Sequence, residues 1–430
     1  MTNNRKNDLL IRLLNDSRCQ FLFFSIMVYC ICVFEYKYFV VERFEYMGYP
    51  DKFSLIKSFF AFVLYVVSHG LLFVRSLKFV RGFTALFILV FLMPILVLFQ
   101  YADSGGELYV IFSFFLLLII NSNFSIKLPK TTTLKLQDRP LAMLILAVLL
   151  FVPFLLVYKI NLDPQLFLFG KKIYEVRAGL DDTGNLYTGY VLSPLFQFIL
   201  PVLAIYGLSS KKIYLTFIAI FITTVMYLMI PQKSIFLGIF VVSFFYFFKE
   251  PIRKVAVFSG IVLIILMIGI LLSNFSDSII LESLLLRRYF IVPAFLNHVY
   301  FDFFQDENLL YSYSFLKGYF HYPYELLPSY RIGQDFFNGK VLNANNGFLS
   351  DAYINFGAIG MFVNTVIVAG LIKFFDSLSI DSKFFGIFFL LLNLLRSSAL
   401  PTMILTHGIW LLVIMAFYLL RKTELRPELT

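Results

Sequence analysis

Long apolar runs follow one another from residue 19 to residue 420, separated by polar breaks. A helix crosses the hydrocarbon of a bilayer with about 20 mainly apolar residues, because backbone left in lipid must bond within its own segment. By that measure the pattern predicts helices at 19–41, 53–74, 82–101, 107–124, 140–160, 190–208, 212–230, 234–248, 254–272, 350–373, 384–400 and 402–420. The expected fold is all-α, a single polytopic membrane domain over 1–430 with about 12 transmembrane helices. Only PQKS (231–234) and LRSSALP (395–401) divide two of the pairs. Two intervening segments are long enough to build structure, 160–189 and 273–349. The second lies between the ninth and tenth helices and reads as short amphipathic helices broken by Pro293, Pro323 and Pro328. Its stretch YSYSFLKGYFHYPYELLPSY has the aromatic density of a membrane–water interface.

The chain is 60% hydrophobic and only 14% charged, against about 25% charged in soluble domains, so no large soluble domain fits. The net charge of +10 follows from the lysines and arginines that hold loops in the cytoplasm, and no basic module stands apart to bind nucleic acid. RSLKFVR (75–81), SIKLPKTTTLKLQDR (125–139), SSKK (209–212), KEPIRK (249–254) and RKTELRPELT (421–430) are the expected cytoplasmic segments. They place both termini inside and the two long segments outside. Cys19, Cys30 and Cys32 all fall in the first apolar run and form neither a disulfide framework nor a zinc site of usual spacing. No small-residue cleavage site follows that run, which is expected to be a retained span.

Phosphate-binding and zinc-protease motifs are absent: there is no G-x-x-x-x-G-K-[ST], no G-x-G-x-x-G after a strand and no H-E-x-x-H. With no D-x-D either, nothing is expected to hold ATP or a nucleotide sugar, and neither cofactor nor metal is expected. A substrate must arrive already activated. The outer side instead carries Arg177, Lys233, Arg287, Arg288, Arg331 and Arg396, where orientation does not require them. Ionisable groups at membrane depth are costly and mark sites, and the guanidinium fork matches phosphate oxygens. Each has a plainer reading: Arg177 solvated or paired with Asp181, Lys233 snorkelling at a helix end, Arg287 and Arg288 at the headgroups. Arg331 and Arg396 read either way. His298 and Asp302, four apart on one helix face, form a local stabilising pair or an acid/base or hydroxyl contact near the arginines. His321 and Glu325 repeat the spacing, with Pro323 between them.

RRYFIVPAFLNHVYFDFF (287–304), then YSYS, then NANNGFLSDAYINFGAIG (343–360) resemble the bacterial O-antigen and capsule repeat-unit polymerases, the Wzy family. The order of an arginine-bearing outer loop (VRAGL), a lysine break (PQKS) and a long outer loop before a Gly-rich span is similar too. The resemblance implies transfer of a growing glycan from undecaprenyl pyrophosphate to a lipid-linked repeat unit, on the periplasmic side of the bacterial inner membrane. It implies cationic side chains on the pyrophosphate, with Asp302, then His298 and His321, as candidates for taking the acceptor's proton. Asn345 or Asn346 would bind glycan where Gly347 lets the chain turn back. Partners would be undecaprenyl-pyrophosphate-linked oligosaccharides and membrane lipids, with room for a chain-length regulator and a flippase. A lipid-linked oligosaccharide flippase or exporter, or the sibling O-antigen ligase, stays open as an alternative.

Overall fold

The computed structural model describes residues 15–74, 78–103, 106–128, 138–168, 170, 172–180, 184–276, 278–305, 307–337 and 343–422, the side chains of 234 and 235 excepted. Asp181 and most of the basic stretches at 125–139 and 421–430 lie outside them. In chain order the helices are α1 (Ser17–Val41), α2 (Leu55–Val74), α3 (Lys78–Phe99), α4 (Glu107–Asn121) and α5 (Arg139–Val157). They continue as α6 (Lys172–Ala178), α7 (Leu186–Ser209), α8 (Ile213–Met229), α9 (Lys233–Tyr246) and α10 (Pro251–Ser276). Next come α11 (Val292–Phe303), α12 (Pro328–Phe336), α13 (Phe348–Ser377), α14 (Ile387–Ser397), α15 (Leu400–Leu405) and α16 (Ile409–Leu420). Among the described residues there is no strand, only isolated bridges at Lys317–Phe320 and Ile380–Arg421.

Among the described residues seven helices, α1, α2, α3, α5, α7, α10 and α13, are long and apolar enough to cross a membrane. The other expected runs fall on α4, α8, α9, α14 and α16, which are apolar but shorter. Helix positions thus follow the apolar pattern, while membrane-spanning length is met in seven of the expected crossings. Two runs depart from it. The last is cut by Gly408, whose φ of +82° no L-residue adopts cheaply, and its Cα lies where a Cβ would be 2.6 Å from the Pro194 ring. The run at 350–373 is two helices meeting at a kink, parted at Phe356 and Gly357, the latter at φ +59°, ψ −147°.

The chain divides into two compact units. One comprises 1–124, 250–373 and 392–400; the other comprises 125–249, 374–391 and 401–430. In the first, α1 lies along α10, and α3 is buried over nearly its whole length. α2 shows how an apolar helix faces lipid: Leu55, Ile56, Phe59, Phe60, Phe62, Val63, Val66 and Val67 point out, while Ala61, Tyr65, Ser68, His69 and Leu72 point in. Between helices in lipid there is no hydrophobic drive, so small residues and hydrogen bonds join them. His69 Nε2 accordingly meets Ser25 Oγ of α1 at 2.6 Å. In the second unit α7 and α8 pack closely at Gly207, which abuts Thr216, whose hydroxyl donates to the Ala204 carbonyl at 2.9 Å.

Of the expected short helices in 273–349, those at α11 and α12 form, each with proline in its first turn, where the missing N–H costs nothing. The aromatic stretch between them is built of turns and extended chain, so His321 and Glu325 do not share a helix face.

Candidate functional site

In the first unit the chain reaches α11 through a nine-residue π-helical stretch, Ser283–Ile291. Its wider turn adds a residue per turn and re-aims the helix beyond it, a device frequent at functional sites. It also accommodates Pro293, whose ring cannot donate to the turn before it. Arg287 is buried there, its guanidinium 4.0 Å from the centre of the Phe44 ring and within 3.1 Å of Ser283 Oγ. Arg288 is exposed. Tyr49 lies within electrostatic reach of both arginines; burial raises its hydroxyl and the two cations oppose that rise.

Arg396, at the end of α14, is also buried but in separate company. Its guanidinium lies 4.1 Å from the centre of the Tyr289 ring, and Nη1 donates to the Val90 carbonyl at 3.2 Å. Val90 lies in the π-helical turn Ile88–Leu92 of α3, just ahead of Pro94. Arg331 is held by Asp335 at 2.7 Å, one turn on, and lies over the Tyr324 ring. Its charge is answered locally, as a solvated anchor's would be.

His298 and Asp302 do meet, Nε2 to Oδ2 at 3.2 Å. Their neighbours are not the arginines but groups from the first turns of α2 and α4 and from the loops before those helices. Lys57 pairs with Glu107 at 3.3 Å and donates to the Ala102 carbonyl at 2.8 Å; Lys52 pairs with Asp103 at 2.5 Å. Burial pushes the His298 imidazole down to about 4, with smaller opposed effects from Glu107 and Lys57. Burial, then the charges of Glu107 and Asp103, push the Asp302 carboxyl up to about 6. At neutral pH the ring is uncharged and faces the ionised carboxylate across 3.2 Å.

Asn297, one residue before the histidine, is marked by no chemical motif. It is fully buried and uses every hydrogen-bonding capacity it has. Nδ2 donates to the carbonyls of Pro293 (2.6 Å) and Arg396 (2.9 Å), while Oδ1 accepts from Gly347 N (2.7 Å) and Ser350 Oγ (2.5 Å). Gly347 is required: a Cβ there would lie 2.8 Å from Asn297 Oδ1 and 2.9 Å from the Leu395 carbonyl. The next turn carries Asp351, buried, which accepts from the hydroxyls of Tyr311 (2.7 Å) and Tyr313 (3.2 Å) and bonds the side chain of Asn346. Asn355 holds the Tyr311 N–H at 2.7 Å, where Leu310 and Tyr311 both sit at positive φ. Asn345 is exposed and Asn346 half-buried, beside this network. His321 is exposed.

The second unit carries Arg177 and Lys233. The described part of segment 160–189 packs beside the PQKS break: Tyr227 donates to the Leu166 carbonyl at 2.7 Å, and Leu166, Ile173 and Tyr227 form a small core. Lys233 opens α9 with Nζ 5.6 Å from the centre of the Tyr174 ring. Arg177, exposed, lies three residues after Tyr174 on α6. The unit thus brings the loop arginine's helix and the break lysine together through one tyrosine. No family model, curated protein or solved structure matches the chain.

Proposed function

We propose that the chain is a membrane glycosyltransferase of the Wzy polymerase type, crossing the bacterial inner membrane with about 12 helices and working on its periplasmic side. It joins lipid-linked oligosaccharide repeat units into O-antigen or capsular polysaccharide, with undecaprenyl pyrophosphate as the leaving group. The reading is supported by the π-helical stretch that carries buried Arg287 and exposed Arg288 and leads into the helix ending in the His298–Asp302 pair.

As the anomeric carbon becomes cation-like, negative charge builds on the departing diphosphate, and arginines stabilise it by charge-assisted hydrogen bonds. At about 1.5 Å per helical residue, His298 and Asp302 lie roughly 15–20 Å from Arg288. That is too far to reach an anomeric carbon bonded to a diphosphate held by the arginines. Asp302 and His298 are therefore assigned to hydroxyls several sugar rings along the glycan, not to the reacting centre. Arg177 and Lys233 form a second cationic patch in their own unit.

The test uses a host of known polysaccharide from which the gene is deleted. A single-repeat product on loss of the protein supports the polymerase; units trapped in the cytoplasm mean a flippase, and free polymer a ligase. Arg177→Ala, Lys233→Ala and Arg288→Ala, each still present in the membrane, should reduce long-chain polysaccharide by roughly 100-fold. Normal chain-length ladders in all three variants would overturn the reading.

A further inference from the structure

Glu35 is the last α-helical residue of α1 before its π-helical turn, Tyr36–Val41, and Glu282 ends the short helix Ile280–Glu282 beyond α10. Glu282 is 1% exposed, and among the described residues neither of its carboxyl oxygens receives a hydrogen bond from an N–H or hydroxyl. The side chain that reaches it is the carboxyl of Glu35. Backbone packing imposes the approach, since Gly269 of α10 lets Glu282 in so closely that a Cβ would lie 3.2 Å from the Glu282 nitrogen.

Among the described residues, the other ionisable groups around the pair are few. α1 contributes the thiols of Cys30 and Cys32, and Arg43 lies just past its end, exposed and stacked on Phe39. From the π-helical stretch comes Arg287, already engaged by Ser283 and Phe44. α10 presents Gly269 here; its Arg253 and Lys254 lie in its opposite, first turn. Among the described residues, no cation is therefore seated on Glu282.

Two carboxylates in contact in a poorly solvated site cannot both be ionised. We propose that Glu35 and Glu282 form a two-carboxyl, one-proton site, one O–H donating to the other carboxylate, which fastens α1 to the segment bearing Arg287 and Arg288. Loss of the proton sets like charges against each other at that junction. Proton binding and the seating of the π-helical stretch are then one equilibrium.

Dicyclohexylcarbodiimide tests this, because it adds only to a protonated carboxyl: the acid O–H adds across a C=N bond, and acyl transfer to nitrogen leaves a stable N-acylurea. With the full chain in lipid nanodiscs, mass spectrometry should find the adduct on Glu35 or Glu282 at neutral pH, decreasing as pH rises and unchanged by sodium or calcium. In Glu35→Gln the amide donates to Glu282 without needing a proton, so labelling of Glu282 should fall roughly tenfold. Glu282→Gln is the reciprocal variant, and both amides keep the shape of a protonated acid. No adduct at neutral or acidic pH would overturn the proposal. Protection by sodium or calcium would overturn it in favour of a bound cation, and undiminished labelling of Glu282 in Glu35→Gln would overturn the sharing.

Discussion

Burial moves the His298 imidazole and the Asp302 carboxyl towards their neutral forms, and the consequences for stability have opposite signs. The folded Asp302 carboxyl sits at about 6, above its ordinary 3.8, so the folded chain holds that proton more tightly. Its contribution is complete at low pH and is lost as pH rises towards and through 6. The folded imidazole sits at about 4, below its ordinary 6.5, so the unfolded chain binds that proton better, and the penalty fades as pH rises through that window. Between about pH 4 and 6 the two oppose each other. The full chain in detergent should therefore show a shallow dependence of Tm on pH. Asp302→Asn should make Tm rise with pH there, and His298→Gln should make it fall. Thermal unfolding scans across the window measure this, and one common slope in all three proteins would refute it. This pair was legible because both members lie on one helix, four residues apart. Glu107, Lys57 and Asp103, which set its electrostatics, arrive from far along the chain, and spacing cannot announce them. The same reason hid Asn297, whose partners are residues 293, 347, 350 and 396.

Helix positions were written in the apolar runs, because a segment that must satisfy its backbone in lipid has no other form. What the runs do not encode is where a helix changes pitch or stops for two residues. The π-helical stretch at 283–291 and the break at 356–357 are set by packing against other elements. At the break, Leu309 N donates to the Ile354 carbonyl at 2.8 Å and Leu310 N to that of Asn355 at 3.3 Å, so a loop caps the first half of α13. Two of the carbonyls that the break frees are thereby satisfied, and Gly357 supplies the backbone freedom to make it. A Gly357→Ala change should cost about 1–3 kcal/mol, because φ +59° with ψ −147° is accessible essentially only to glycine. Gly370→Ala on the same helix, where a Cβ meets nothing within 4 Å, should stay within about 1 kcal/mol or gain. Denaturant titration of both variants compares them, and equal losses would mean that the break carries no special backbone demand.

The number of crossings is constrained by contacts inside the first unit. Phe44 stacks on Arg287 at 4.0 Å, and the Tyr49 and Phe295 rings lie 4.5 Å apart, so the loop after α1 and the start of α11 share one end of that unit. Between Tyr49 and Phe295 lie five helices of membrane-spanning length, α2, α3, α5, α7 and α10. Five is odd and would leave the two segments on opposite faces of a bilayer. If all five cross, an odd number of the shorter helices α4, α8 and α9 crosses as well, and the apolar pattern assigns crossings to all of them. Since α8 and α9 are joined by the tight PQKS break, they cross together or not at all, and the side on which Gln232 emerges separates the cases. Cysteines at Asp51, Lys212, Gln232 and Tyr319, in a chain whose Cys19, Cys30 and Cys32 have been replaced, read this directly with membrane-impermeant maleimide on intact cells. Asp51, Gln232 and Tyr319 should label from outside and Lys212 only after permeabilisation. Labelling of Asp51 and Tyr319 from opposite sides would contradict the packing of the first unit in a membrane. If instead Gln232 alone were internal, α4 would cross without α8 and α9, and Lys233 would be on the wrong side to meet a periplasmic diphosphate.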